Sequence, residues 1–148
     1  MGFSADWLAL REPADHAARD PSLLSAAADA AGLKPVIVDL GCGTGSTIRA
    51  FAGHLAAPAS WRLVDNDPEL LTIAADAAGQ RATTHRIDLR DLDSLPLEGA
   101  SLVTASALLD LCSRNWVARL AERLSAHGLP FYAALYYDGI MRWSPAVT

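Results

Sequence analysis

At 148 residues, 51% apolar and 20% charged, the chain has the size and balance of one globular domain with a normal core. No apolar run approaches the ~20 residues that span a bilayer, no basic segment precedes an apolar one at the N-terminus, and two cysteines and four histidines make neither a disulfide framework nor a metal-ligand spacing. A cytoplasmic protein with no membrane and no metal is therefore expected. The formal charge of −5 argues against nucleic acid as a partner, because that affinity rests largely on Lys and Arg displacing counterions.

Residues 1–33 read as an N-terminal helical segment ahead of a core over 34–148, with the polar residues 1–20 expected to be mobile. A helix is predicted over Pro21–Ala31, with Asp20 as N-cap, Pro21 at the first helical position and Gly32 as the stop. Val36–Leu40 is a short β-branched run entered through Pro35, the pattern of a buried parallel strand. Thr44–Leu55 reads as the next helix. Trp61–Val64 is a second strand, closed by the turn Asp65-Asn66-Asp67-Pro68. A helix over Pro68–Ala78 follows, offering Leu70, Leu71 and Ile73 to a sheet. Thr83–Ile87 and Ser101–Ser106 are the third and fourth strands. Asn115–Ala126 places Trp116, Val117, Leu120 and Leu124 at helical spacing, and Leu129–Tyr137 holds a fifth strand. Strands alternating with helices imply right-handed crossovers and an α/β, doubly wound, mostly parallel sheet.

The segment Val36-Ile37-Val38-Asp39-Leu40-Gly41-Cys42-Gly43-Thr44-Gly45-Ser46 carries the most chemistry. A buried strand enters a sharp turn where glycines permit positive φ and close approach of a ligand. A helix N-terminus behind it attracts a carboxylate or phosphate. A ligand-free strand-to-helix turn is the plain alternative. A dinucleotide site wants G-x-G-x-x-G; here Gly41 and Gly43 are followed by Gly45, and Ser46 takes the sixth place. Asp39, two residues ahead of the loop, would repel a pyrophosphate but suits a cation such as the amino or sulfonium group of S-adenosylmethionine. Asp65 ends the second strand ~20 residues past the loop, where a carboxylate accepts ribose hydroxyls. Its alternative use is as a helix cap, for which Asp67 is better placed. Asp88 is positioned to accept an adenine amino group with Leu89 lining the ring, unless Asp88, Asp91 and Asp93 form only a solvated acidic loop.

These residues resemble the class I S-adenosylmethionine-dependent methyltransferases over about residues 34–137. Val36–Ser46 matches the family's first motif, Leu63–Asp67 its second and Ile87-Asp88-Leu89 its third, while Ser101–Asp110 is similar to the segment leaving the fourth strand. The resemblance implies a sheet ordered 3-2-1-4-5. It also implies that Gly41 to Gly45, with Cys42 between them and Ser46 after them, pack on the methionine portion. Asp65, beside Asn66, would hold the ribose; Asp88 and Leu89 would fix the adenine; and the backbone near Ser106 would face the amino group or the transferred methyl. Two departures are notable. Ser106-Ala107-Leu108-Leu109 stands where DNA-amine methyltransferases carry Asn-Pro-Pro-Tyr, and the chain stops at Thr148, so strands six and seven are expected to be missing by truncation. The fifth strand is then expected as an apolar edge that invites a homo-oligomer.

Methyl transfer from a sulfonium needs mainly alignment, so no catalytic residue has to be visible. Asp110, Tyr136, Tyr137 and Asp138 stand at carboxyl ends of strands, more as hydrogen-bonding residues than as bases. His16 and Arg19 are candidates to close over a cofactor, Arg19 by pairing its carboxylate; a solvated helix face is the alternative. Cys42 reads as a small residue in a cramped loop, and Cys112 and Trp116 as core. The expected function is S-adenosylmethionine-dependent methylation of a small molecule. A NAD-binding oxidoreductase domain and a non-catalytic S-adenosylmethionine-binding subunit are the alternatives.

Overall fold

A computed structural model describes residues 4–134 of the chain. Its strands are β1 Val36–Leu40, β2 Ser60–Asp65, β3 Ala82–Arg86, β4 Leu102–Ser106 and β5 Phe131–Ala134. They form one sheet in the order β3-β2-β1-β4-β5, and all four pairings are parallel. The helices are α1 Ala5–Ala18, α2 Pro21–Ala30, α3 Ser46–Phe51, α4 Pro68–Ala78 and α5 Arg114–Ala126. The parallel pairing matches the expectation from alternating elements, and the strand order matches the one the family resemblance implies.

Side chains on a strand alternate between faces, and the core divides accordingly. Ile37, Leu63, Leu102 and Tyr132 pack on one side with residues of α2, α3 and α4. Val38, Leu40, Val64, Val103 and Ala105 pack on the other with Trp116, Leu120 and Leu124 of α5. Asp39 and Thr104 belong by parity to the first side. They are the register partners at the centre of the sheet, and both are buried.

The caps explain the helix boundaries. Asp20 accepts the N–H groups of Ser22 and Leu23, and Asp67 those of Glu69 and Leu70. Asp67 is therefore the cap before Pro68, which leaves Asp65 for other work. Within α4 the inward stripe is Leu70, Leu71 and Ala74, while Ile73 is 40% exposed. Ile73 thus faces solvent and not the sheet, because Leu71 and Ala74 already occupy the i, i+3 face.

Two expectations are corrected. The helix predicted over Thr44–Leu55 is only six residues long. Gly45, at φ 95°, starts it late, and Ala52 in an extended conformation followed by Gly53 at φ 81° ends it early. Such a short helix adds little dipole to the loop in front of it. The polar residues expected to be mobile instead form α1. Ser4 caps it by accepting the Trp7 N–H at 3.1 Å, and Arg11–Asp15 is an i, i+4 ion pair along it. No residue of α1 is buried.

Candidate active site

The turn after β1 is built from two glycines in the left-handed region. Gly41 has φ 63° and Gly43 φ 55°, which side-chain-bearing residues adopt only with strain. The turn is pinned from both flanks. The Cys42 N–H donates to Val64 O at 3.0 Å, and the Gly45 N–H to Cys42 O at 3.0 Å. Asp65 Oδ2 accepts the Gly43 N–H at 3.0 Å, while its Oδ1 accepts the Asp67 N–H at 3.0 Å. The carboxylate at the end of β2 thus holds the loop after β1.

A cleft of about 240 Å3 opens at this carboxyl end of the sheet. It brings together Gly41, Cys42, Gly43, Ser46, Asp65, Asn66, Leu89 and Ser106 of the sequence-derived candidates. Leu70, Leu108 and Leu111 add apolar walls, and Leu8, Arg11 and Asp15 of α1 form another. The sequence reading had this segment close over the cofactor through His16 and Arg19, and did not name Leu8, Arg11 or Asp15. Its signals were there: Ser4 as a cap before an acidic first turn, then charge pairs four residues apart. The Leu8 side chain lies so near the loop that a Cβ on Gly43 would stand 3.3 Å from Leu8 Cδ1.

Helix α1 is docked by polar contacts. Glu12 takes a bidentate pair from Arg49 of α3, at 2.6 Å from both Nε and Nη2, and Arg49 Nη1 also donates to Thr44 O at 3.0 Å. The Arg49 hydrogen bonds hold the Glu12 carboxyl below its usual range against the opposing effect of burial. His16 Nε2 lies 3.4 Å from Ser46 O. His16 therefore reaches the loop region, whereas Arg19 reaches the ends of β4 and β5. Arg19 is only 7% exposed and does not face the cleft. It donates to Tyr132 Oη at 3.2 Å and to Ser106 Oγ at 3.1 Å, so its Nη groups are committed to protein.

Three candidates stand off the cleft wall. Gly45 serves packing: a Cβ there would meet Ile48 Cδ1 at 3.3 Å and the Ala74 backbone at 3.5 Å, so it lets α3 lie close to α4. Asp88 turns outward to Arg90, at 2.6 Å from Nη2. The Arg90 hydrogen bonds hold its carboxyl at about 2. Leu89 lines the cleft without it, held by the Trp116 Nε1–H donating to Leu89 O at 2.7 Å. Asp39 is 1% exposed, behind the loop. Thr104 Oγ1 donates to its Oδ1 at 2.7 Å, and Oδ2 has no partner within hydrogen-bond distance. Burial raises this carboxyl to about 7 and the nearby Asp65 adds to the rise, while Thr104, Thr47 and Arg19 oppose it. Cys42 is buried, and burial beside Asp39 and Asp65 pushes its thiol well up, consistent with a small inert residue. The Asp110 side chain and residues Tyr136, Tyr137 and Asp138 lie outside the described part of the chain. Among the described residues no helix is long and apolar enough to cross a membrane.

The arrangement has known counterparts. Residues 37–128, more than half the chain, match the family described as Methyltransferase domain. The fold is similar to that of the sugar N-methyltransferase KedS8 from Streptoalloteichus (16% identity, TM-score 0.68, covering 97% of this chain and 58% of that one). It is also similar to an S-adenosylmethionine-dependent methyltransferase from Mesorhizobium loti (31% identity, TM-score 0.56, 75% and 49%). A third similar structure is the plantazolicin methyltransferase BpumL in complex with SAH (16% identity, TM-score 0.59, 83% and 46%). The chain thus spans about half the length of these proteins. Curated protein sequences give no significant match. The chain belongs to the methyltransferase domain family.

Proposed function

We propose that this chain binds S-adenosylmethionine in the cleft and serves as the core of a cytoplasmic methyltransferase acting on a small molecule. Residues 1–33 would supply the α1 wall and 34–148 the cofactor-binding core. The observation that carries the reading is Asp65. Its carboxylate stands on the cleft wall and holds the glycine turn through Gly43, yet each oxygen has accepted only one backbone N–H. Spare lone pairs remain for two ribose hydroxyls.

The other residues fit the same ligand. Gly41 and Gly43 keep the turn free of side chains where the methionine portion would lie. Leu70 and Leu89 offer apolar faces to an adenine ring, in the way ligand clefts combine apolar walls with a few polar groups. Ser106 offers a hydroxyl at the end of β4. The paired, outward Asp88 leaves adenine contact to Leu89 unless Arg90 releases it. Arg19 would act through Ser106 and not on the cofactor carboxylate. Once bound, the cofactor supplies an already activated methyl on a sulfonium. What remains for this chain is to orient it and keep water out, which is the larger part of such a reaction. A small acceptor is supported by the −5 net charge, which disfavours nucleic acid, and by the sugar N-methyltransferase among similar folds.

The test is transfer of a labelled methyl group from S-adenosylmethionine to a panel of small amines and hydroxyl compounds. Transfer that is lost in Asp65→Ala supports the reading. Label transfer to none of the panel, with binding intact, would leave a cofactor-binding subunit in place of an enzyme.

A further inference from the structure

Helix α1 closes one side of the cleft with Leu8, Arg11 and Asp15, a spacing that sets all three on one helix face. Its course along the cleft is fixed at both ends. Leu8 lies against the glycine turn at Gly43. Arg19, just past the helix, reaches Ser106 at the end of β4. Arg11 and Asp15 therefore stand along the stretch between the glycine turn and β4. The bidentate Glu12–Arg49 bond and the His16 contact with Ser46 O lie on intervening positions and fix the rotation of the helix.

Among the described residues, Arg11 is the only cationic side chain that lines the cleft. Its neighbours are committed elsewhere. Arg49 donates from Nε and Nη2 to Glu12 and from Nη1 to Thr44 O, and Arg19 donates to Tyr132 and Ser106. Arg11 instead pairs along its own helix, Nε at 2.9 Å from Asp15 Oδ2 and Nη2 at 3.4 Å from Oδ1. Its Nη1 has no acceptor among the described residues. With the two side chains 30% and 20% exposed, such an i, i+4 pair adds little to stability. Exchanging its partners for ligand charges is correspondingly easy.

We propose that Arg11 and Asp15 form a zwitterion clamp: Arg11 turns to the α-carboxylate of the ligand, and the freed Asp15 carboxylate takes its α-ammonium. This rests on the reading of the cleft as an S-adenosylmethionine site, whose methionine portion lies between the glycine turn and β4. A guanidinium matches a carboxylate with two parallel N–H groups, and a carboxylate only accepts, which suits an ammonium. Side chains one turn apart are neighbours on the helix surface, about 5–6 Å between Cβ atoms, so both reach the two charges of one amino-acid group. One ion pair within the helix becomes two across the cleft. A nucleoside without the amino-acid group leaves the Arg11–Asp15 pair as it stands and gains nothing from it. The clamp therefore selects for the amino-acid end of the ligand, which the adenosine contacts at Asp65 and Leu89 do not read.

The experiment is calorimetric titration of the full chain with S-adenosylhomocysteine and with methylthioadenosine, the same thioether nucleoside without its amino-acid group. Wild type should prefer S-adenosylhomocysteine at least tenfold. Arg11→Gln should lose about tenfold in S-adenosylhomocysteine affinity, the worth of a charge-assisted hydrogen bond, with methylthioadenosine affinity unchanged. Arg11→Lys, which keeps the charge, should retain part of the preference, and Asp15→Asn should narrow it because the ammonium loses its counter-charge. A purely structural role for the pair would weaken both ligands alike. A preference unchanged in either Arg11→Gln or Asp15→Asn, or absent from wild type, would overturn the clamp alone. Binding of neither ligand to wild type would overturn the cofactor site and the clamp with it.

Discussion

Asp65 accepts the Gly43 N–H at 3.0 Å, tying the end of β2 to the turn after β1 through a carboxylate that also faces the cleft. One side chain therefore serves the loop's shape and offers acceptors to a ligand. Asp65→Ala strands the N–H groups of Gly43 and Asp67. A loss of about 1–3 kcal/mol in unfolding free energy is expected, measured by urea denaturation. An unchanged midpoint would mean that water satisfies both groups.

Helix α1 should be sensitive to acid. The Glu12 carboxyl lies below the usual glutamate range, chiefly through the Arg49 hydrogen bonds. A lowered folded value gives stabilisation that is complete above the unfolded value and lost as pH falls through the folded one. Because the Arg49 side chain is 37% exposed, solvent screening limits the effect to about 1 kcal/mol or less. Protection of the amides across Leu8–Glu12, relative to their intrinsic exchange, should fall as pH drops through and below the ordinary carboxylate range, and Glu12→Gln should show the lower protection already at neutral pH.

Asp39 acts in the opposite sense. Its folded value is raised to about 7 from 3.8, so the native state holds a proton that the unfolded chain has released. Stability contributed by that proton is largest near the unfolded value and falls as pH rises toward the folded one, then levels off. Denaturant midpoints of the wild type should drop across this window. Asp39→Asn, whose side-chain oxygen still accepts from Thr104, should flatten the profile. A wild-type profile that is flat there would contradict the burial argument.

The cleft wall at Leu89 depends on α5. Trp116 is 9% exposed and donates from Nε1 to Leu89 O at 2.7 Å. Trp116→Phe removes the donor and leaves a carbonyl without its partner, at a cost of about 1 kcal/mol. The same change should weaken S-adenosylmethionine binding several-fold by loosening Leu89. Destabilisation with unaltered affinity would separate Leu89 from the cofactor.

The fold was legible because its signals were local and mutually consistent. Asp20 and Asp67 as caps, Gly32 as a stop, and the β-branched run at Val36 all fixed elements without tertiary information. The site was legible where backbone carried it, as at Gly41, Gly43 and the end of β2. Side-chain direction was not legible. Asp39 and Asp88 sit at the strand ends where a ligand carboxylate is expected, but one is turned into the core by strand parity and the other is captured by Arg90 two residues on. The N-terminal segment was read as helical, but the bounds and docking of α1 were not legible, because it buries no residue and so lacks an apolar stripe; polar pairs between Glu12 and Arg49, and between Arg19 and Ser106, dock it across long sequence distances.

The most direct measurement is a calorimetric comparison of S-adenosylmethionine and NAD binding to the full chain and to Asp65→Asn. Saturable one-to-one binding of S-adenosylmethionine is expected, with no NAD binding and an affinity reduced about tenfold or more in the variant, the worth of a charge-assisted hydrogen bond. Saturable NAD binding without S-adenosylmethionine binding would contradict the account.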